Sequence, residues 1–152
     1  MNTGKILVWD LPTRLFHWLL AGCFATAYLT GDADGWENVH FTAGFTLLGL
    51  LAFRLCWGLA GSRYARFIQF AYGPSQVLDY VRHMKTQHHL GHNPLGSMAV
   101  FGLMGLGLLT SLVGALMYLT GWEWPEEPHE LLANAMLLLV CLHVAGVVIS
   151  GK

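Results

Sequence analysis

The run HELLANAMLLLVCLHVAGVVI, residues 129–149, decides what kind of protein this is. From Leu131 to Ile149 it holds no Asp, Glu, Lys or Arg. That suits a helix crossing a bilayer core about 30 Å thick, for which roughly 20 residues at 1.5 Å each are needed. The run also carries His129 at its start and His143 fourteen residues further on. That spacing is about four turns, so both side chains point to one face of the helix, about 21 Å apart along its axis. An ionisable side chain within a span is costly and points to function.

Three more runs of this kind lie upstream, at about 13–30, 40–60 and 95–119, so the spacing predicts four crossings, the last at about 131–149. The first run is the weakest, because His17 sits within it just after Arg14. Pro12, Pro94 and Pro128 fall where helices begin, and a residue without an amide proton is tolerated there. The connection 61–93 is too long for a bare turn. It reads as two short amphipathic helices, 63–72 and 75–87, divided by Gly73-Pro74 and lying on the lipid surface or docking a partner.

Composition agrees. Of 152 residues, 55% are hydrophobic and only 11% charged, where a soluble domain carries roughly 25% charged residues. A net charge of -1 with eight Lys and Arg leaves no broad track for phosphates, which argues against nucleic acid. Cys23, Cys56 and Cys141 each lie in an apolar run and read as small buried hydrophobes, not as a disulfide framework. The first run is no signal peptide, since further spans follow it. No glycine-rich phosphate loop and no HExxH occur.

Four crossings return both termini to one side. Lys5, Arg14, Arg54, Arg63, Arg66, Arg82, Lys85 and Lys152 all fall toward that side, while Asp32, Asp34, Glu37, Glu123, Glu126, Glu127 and Glu130 fall toward the other. The positive-inside rule makes the basic side cytoplasmic. Trp9, Trp18 and Trp57 near one side and Trp36, Trp122 and Trp124 near the other suit the headgroup level or the packed interior.

This topology sorts the histidines by depth. His17 and His143 share the basic end; His40 and His129 share the acidic end. Taken singly, each is a packed or interfacial residue. As depth-matched pairs they suit two stacked haems, because haem supplies four equatorial nitrogens and two imidazoles complete the iron. Porphyrin also brings an apolar surface suited to the space between helices. Arg14 and Arg54 stand where they can reach the propionates of the haem at the basic end. Gly22, Gly44, Gly49, Gly102, Gly105, Gly107 and Gly114 serve either as walls for a flat ring or as ordinary small-residue packing. His83, His88, His89 and His92 read as solvated loop residues, with no cysteine or carboxylate nearby to complete a zinc site.

Several motifs carry a resemblance. The opening Val8-Trp9-Asp10-Leu11-Pro12-Thr13-Arg14-Leu15-Phe16-His17-Trp18 resembles that of the bacterial cytochrome b561 family, which includes the b-type cytochrome subunits of nickel-iron hydrogenases. His40 with Gly44, the loop Gly91-His92-Asn93-Pro94-Leu95-Gly96, His129-Glu130 and His143-Val144-Ala145-Gly146-Val147 are similar too. The resemblance implies one integral domain over 1–152, an all-α four-helix membrane bundle enclosing two haems b. His17, His40, His129 and His143 would be the four axial ligands, while His92 is not implied as one. Members of the family run on for some tens of residues with a polar, partly basic tail where this chain stops at Lys152.

The function expected on these grounds is electron transfer across the bacterial inner membrane, between the quinone pool and a redox protein or small oxidant at the other face. Seven acids at that face would repel superoxide, which favours a protein partner. The alternative is a haem-bearing membrane anchor of a larger oxidoreductase such as a hydrogenase. A second copy of the chain is a further candidate partner. With both termini in the cytoplasm, a cysteine placed at Asp34 is expected to react only with an impermeant thiol reagent added from the periplasmic side, as a labelling scan in intact cells and inverted vesicles would read.

Overall fold

The computed structural model describes residues 11–61, 66–69, 71–82 and 94–150. Lys5, Arg63, Lys85, Lys152 and the four loop histidines His83, His88, His89 and His92 lie outside these residues. What is described is all helical: α1 Leu11–Thr30, α2 Glu37–Ala60, α3 Pro74–Arg82, α4 Pro94–Thr120 and α5 Glu126–Ser150, with a 3-10 turn Phe67–Gln69 between α2 and α3.

Three helices are long and apolar enough to cross a membrane: Glu37–Ala60, Pro94–Thr120 and Glu126–Ile149. α1 is 20 residues long, about 30 Å at 1.5 Å per residue, but it is not among them, in keeping with the Arg14 and His17 it carries. The spans leave large apolar side chains facing outward. Leu131, Leu138, Leu142 and Ile149 on α5 and Leu109, Leu112 and Leu119 on α4 are all exposed. Such a surface is untenable in water and normal in lipid.

Local chemistry sets the helix ends. Gly35 takes a positive φ of 81° before α2, and its N–H donates to the Glu37 carboxylate at 3.1 Å. α2 stops at Gly61, whose N–H donates to the Trp57 carbonyl at 2.8 Å; a Cβ there would run into Trp57 itself. α4 ends on Gly121, φ 67°, whose N–H donates to the Met117 carbonyl, the left-handed cap that glycine adopts without steric cost.

α1 packs along α2, α2 along α4, and α4 along α5; α1 and α5 share no comparable seam. The pairs run antiparallel. The end of α1 meets the start of α2, where Ala27 bonds His40, and the start of α1 puts Phe16 beside Leu51 of α2. Leu51, fully buried, packs with Leu47, Phe16 and Met104. α5 closes on α4 where Gly107 has no side chain: a Cβ there would stand 3.1 Å from Leu51 and 3.4 Å from Met136. A Cβ at Gly102 would come within 2.9 Å of Leu139. A hydrogen bond spans the otherwise open side, with Tyr28 Oη of α1 donating to Asn134 Oδ1 of α5 at 2.7 Å. In a membrane such bonds average only about 0.6 kcal/mol of stability.

The connection after α2 differs from expectation. Of the helix expected over 63–72, residues 63–65 and 70 lie outside the described ones, and Phe67–Gln69 form a 3-10 turn in which Phe67 is drawn inward. Its ring fills the space above Gly58 of α2 and lies 5.6 Å from Phe101 of α4. The Arg54 guanidinium sits 5.0 Å over the same ring, and Arg54 is only 4% exposed. Of the second expected helix, 75–87, the described residues form α3, Pro74–Arg82, packed on α4, and 83–87 lie outside them. Among the described residues, Arg14, Arg54, Arg66 and Arg82 all stand at this end of the helices, and Asp32, Asp34, Glu37, Glu123, Glu126, Glu127 and Glu130 at the other.

Candidate haem sites

At the acidic end, α2 and α5 each turn one imidazole toward the other. The ring centres of His40 and His129 are 6.0 Å apart, with the planes at 78°. Both rings are held from behind. α1 ends at Thr30, so its last carbonyls lack an intrahelical amide. The carbonyl of Ala27 is one of these, and His40 Nδ1 lies 2.8 Å from it. His129 Nδ1 lies 3.0 Å from the Thr110 carbonyl, in the middle of α4. A carbonyl only accepts, so in the neutral rings both Nδ1 atoms carry the proton and both Nε2 atoms keep a lone pair. This second-sphere bond is what orients histidine ligands of metals and raises their basicity.

His129 reaches Thr110 because the residue one turn further along α4 is glycine. A Cβ on Gly114 would stand 2.8 Å from His129 Cε1 and 3.2 Å from its Nδ1. Beside the two imidazoles lies a cleft of about 390 Å³. Gly44 lines it one turn after His40, with nothing within 4 Å of where a Cβ would be. Its other wall is aromatic: Tyr118 takes Phe41 edge-on at 4.9 Å and Phe45 at 5.4 Å. A smaller apolar void of about 60 Å³, bordered by Leu47, Gly107 and Met136, also touches His40 and His129.

These residues fit a haem. A metal–imidazole bond is about 2 Å long, so two rings on opposite sides of one metal have centres about 6 Å apart, which is the separation of His40 and His129. The glycine-lined, aromatic-walled cleft suits a flat apolar ring. Among the described residues, no three His, Cys, Asp or Glu side chains gather where they could hold a bare metal ion. Two imidazoles are enough only for a metal that brings its other ligands, as haem iron does.

At the basic end, His17 of α1 and His143 of α5 are half-buried and near enough for the charge on one to act on the other. The His17 ring lies edge-on to Trp18, with centroids 5.3 Å apart. Arg14, one turn before His17, is exposed; Arg54 is buried and turned onto Phe67. The four histidines that the sequence singles out thus stand as two groups on α1, α2 and α5. α4 contributes no histidine; its part is the Thr110 carbonyl and the space left by its glycines.

Sequence reasoning passes over the anchoring carbonyls of Ala27 and Thr110, which no side-chain pattern reveals. It also passes over Gly114 as distinct from its neighbours and over the Tyr28–Asn134 bond. Asn134, an amide in the middle of an apolar span, was the one readable signal among these.

Membrane-length helices that bring together two imidazoles, each anchored to a carbonyl of a neighbouring helix, have the residues that a membrane-embedded cytochrome requires. The family model described as prokaryotic cytochrome b561 matches residues 8–152, and the chain belongs to that family. It is 26% identical over 145 residues to the "Probable Ni/Fe-hydrogenase 1 B-type cytochrome subunit" of Escherichia coli K12, a match covering 77% of this chain and 62% of the relative. Identity to the "Probable Ni/Fe-hydrogenase B-type cytochrome subunit" of Azotobacter vinelandii is 27% over 146 residues, covering 76% and 60%. With the subunit of the same name from Rhizobium leguminosarum bv. viciae it is 25% over 191 residues, covering 92% and 79%. The match spans about 60% of the length of the first two relatives. No solved structure matches the chain.

The Gly114 contact yields a direct expectation. Gly114→Ala should push His129 off the Thr110 carbonyl and lower the haem content of the purified protein. Gly105→Ala, with nothing within 4 Å of its Cβ position, should leave haem content unchanged. The absorbance of the pyridine haemochrome per mole of protein measures both.

Proposed function

We propose that the chain is the haem-bearing membrane subunit of a larger oxidoreductase of the hydrogenase type. Its relatives are by name B-type cytochrome subunits of Ni/Fe-hydrogenases. They favour this reading over a free-standing carrier between the quinone pool and a small oxidant. In it, α1 is the fourth crossing, the whole chain is one di-haem domain of the inner membrane, and the basic end with both termini faces the cytoplasm. His40 and His129 hold one haem b and His17 and His143 the other. When bound, the two haems supply ferric–ferrous couples at two depths, and so a one-electron route across the membrane. Quinone is the acceptor proposed, and the electrons come from the catalytic partner.

The observation that carries the reading is the His40–His129 pair, with both Nδ1 protons committed to carbonyls and ring centres 6.0 Å apart. The protein's own residues do the rest of the work. Ala27 and Thr110 fix the tautomer of the two rings, and Phe41, Phe45 and Tyr118 wall the cleft beside them, with Glu123 and Glu126 also lining it. Arg14, exposed one turn before His17, is the residue proposed to pair with the propionates of the haem at the basic end. Arg54, at the same depth, holds a buried positive charge against Phe67. A nearby fixed cation favours the reduced, less positive iron.

Wild-type protein should carry two haems per chain. His143→Leu should carry one, with the absorption bands of the other intact; two haems in that variant would refute the pairing. Tested in the native host, the subunit reading expects hydrogen gas to reduce the haems in isolated membranes. It also expects an iron–sulfur subunit to copurify with the chain in mild detergent. If the haems are reduced by quinol alone and no such subunit is present, the free-standing reading returns.

A further inference from the structure

We infer that Tyr28 and Asn134 are a positioning pair for the haem held by His40 and His129, an inference that rests on the reading just given. Tyr28 follows Ala27 directly in α1, and the Ala27 carbonyl is what holds His40 Nδ1 at 2.8 Å. Tyr28 also borders the apolar void that touches both imidazoles. Its hydroxyl donates to Asn134 Oδ1 at 2.7 Å. Asn134 lies five residues after His129 on α5, about 7.5 Å further along the axis.

The pair therefore forms the fourth side of a frame. α1 reaches His40 of α2 through Ala27, α4 reaches His129 of α5 through Thr110, and Tyr28–Asn134 joins α1 to α5, which share no extended seam. The bond makes each of the two polar groups the other's partner, at the acidic end of the helices. It sits on the element whose carbonyl sets the protonation and direction of a ligand ring. A tight Nδ1–H bond raises the basicity of the imidazole and favours ferric iron. Loosening α1 weakens that bond, so the potential of this haem rises. His17 and His143 lie at the other end of α1 and α5.

The test is a spectroelectrochemical titration of the purified di-haem protein, with electron paramagnetic resonance of the ferric state. Tyr28→Phe keeps the ring and removes the donor. It should raise the potential of one haem, by up to about tenfold in the ferric–ferrous equilibrium or about 59 mV for one electron, and shift the low-spin signal of that haem alone. Asn134→Leu removes the acceptor and should shift the same haem in the same direction; it also reads the bond should Tyr28→Phe fail to assemble. The double variant should go no further than either single one.

Unchanged potentials and signals in both single variants would overturn the inference. So would equal shifts of both haems, which mark general loosening, or additive shifts in the double variant. Wild-type protein with fewer than two haems would overturn the di-haem reading first, and this inference with it.

Discussion

The arrangement depends on one kind of hydrogen bond, an imidazole N–H given to a backbone carbonyl of another helix. Lipid leaves no water to satisfy a stray ring nitrogen, so each histidine must find its acceptor inside the protein. Helices spend most of their carbonyls on themselves. Two exceptions are used here. Ala27 lies in the last turn of α1, where its oxygen is shared between His40 Nδ1 at 2.8 Å and the Thr30 hydroxyl at 3.4 Å. Thr110 lies mid-helix, and its carbonyl accepts a second donor on the side that Gly114 leaves bare. The end of α1 and one missing side chain on α4 together set where each Nδ1 finds its carbonyl.

Much of this was legible in the sequence, for reasons that can be named. Apolar runs of about 20 residues mark helices because a helix satisfies its own backbone hydrogen bonds in lipid over that length. The spacing of His129 and His143 marks a shared face because helical geometry is regular, and the charge bias divides the two ends. What could not be read has equally physical reasons. Backbone carbonyls carry no residue identity, so the anchors of the rings are invisible before folding. Phe67 looked like one apolar residue of an amphipathic helix. In the fold its ring fills the space above Gly58 and lies under the Arg54 guanidinium, and the described residues 67–69 form a 3-10 turn.

The glycines show why composition alone leaves two readings open. Gly102 and Gly107 let α4 approach Leu139 on α5 and Leu51 on α2, and are packing residues. Gly114 makes room for an imidazole, and Gly44 opens onto the cleft beside one. Gly22, Gly49 and Gly105 have nothing within 4 Å of a Cβ. One residue type thus does three things within one set of helices, and only the neighbours tell them apart.

Between the two histidine levels, the centre of the fold is filled by Leu47, Leu51, Met104 and Met136, all buried. None of these side chains can pass a proton along. Were the two haems bound as proposed, an electron crossing that layer would pass between side chains that carry no proton along with it. The packing of a few aliphatic side chains would then make the transfer electrogenic, so that its rate responds to the voltage across the membrane it helps to build.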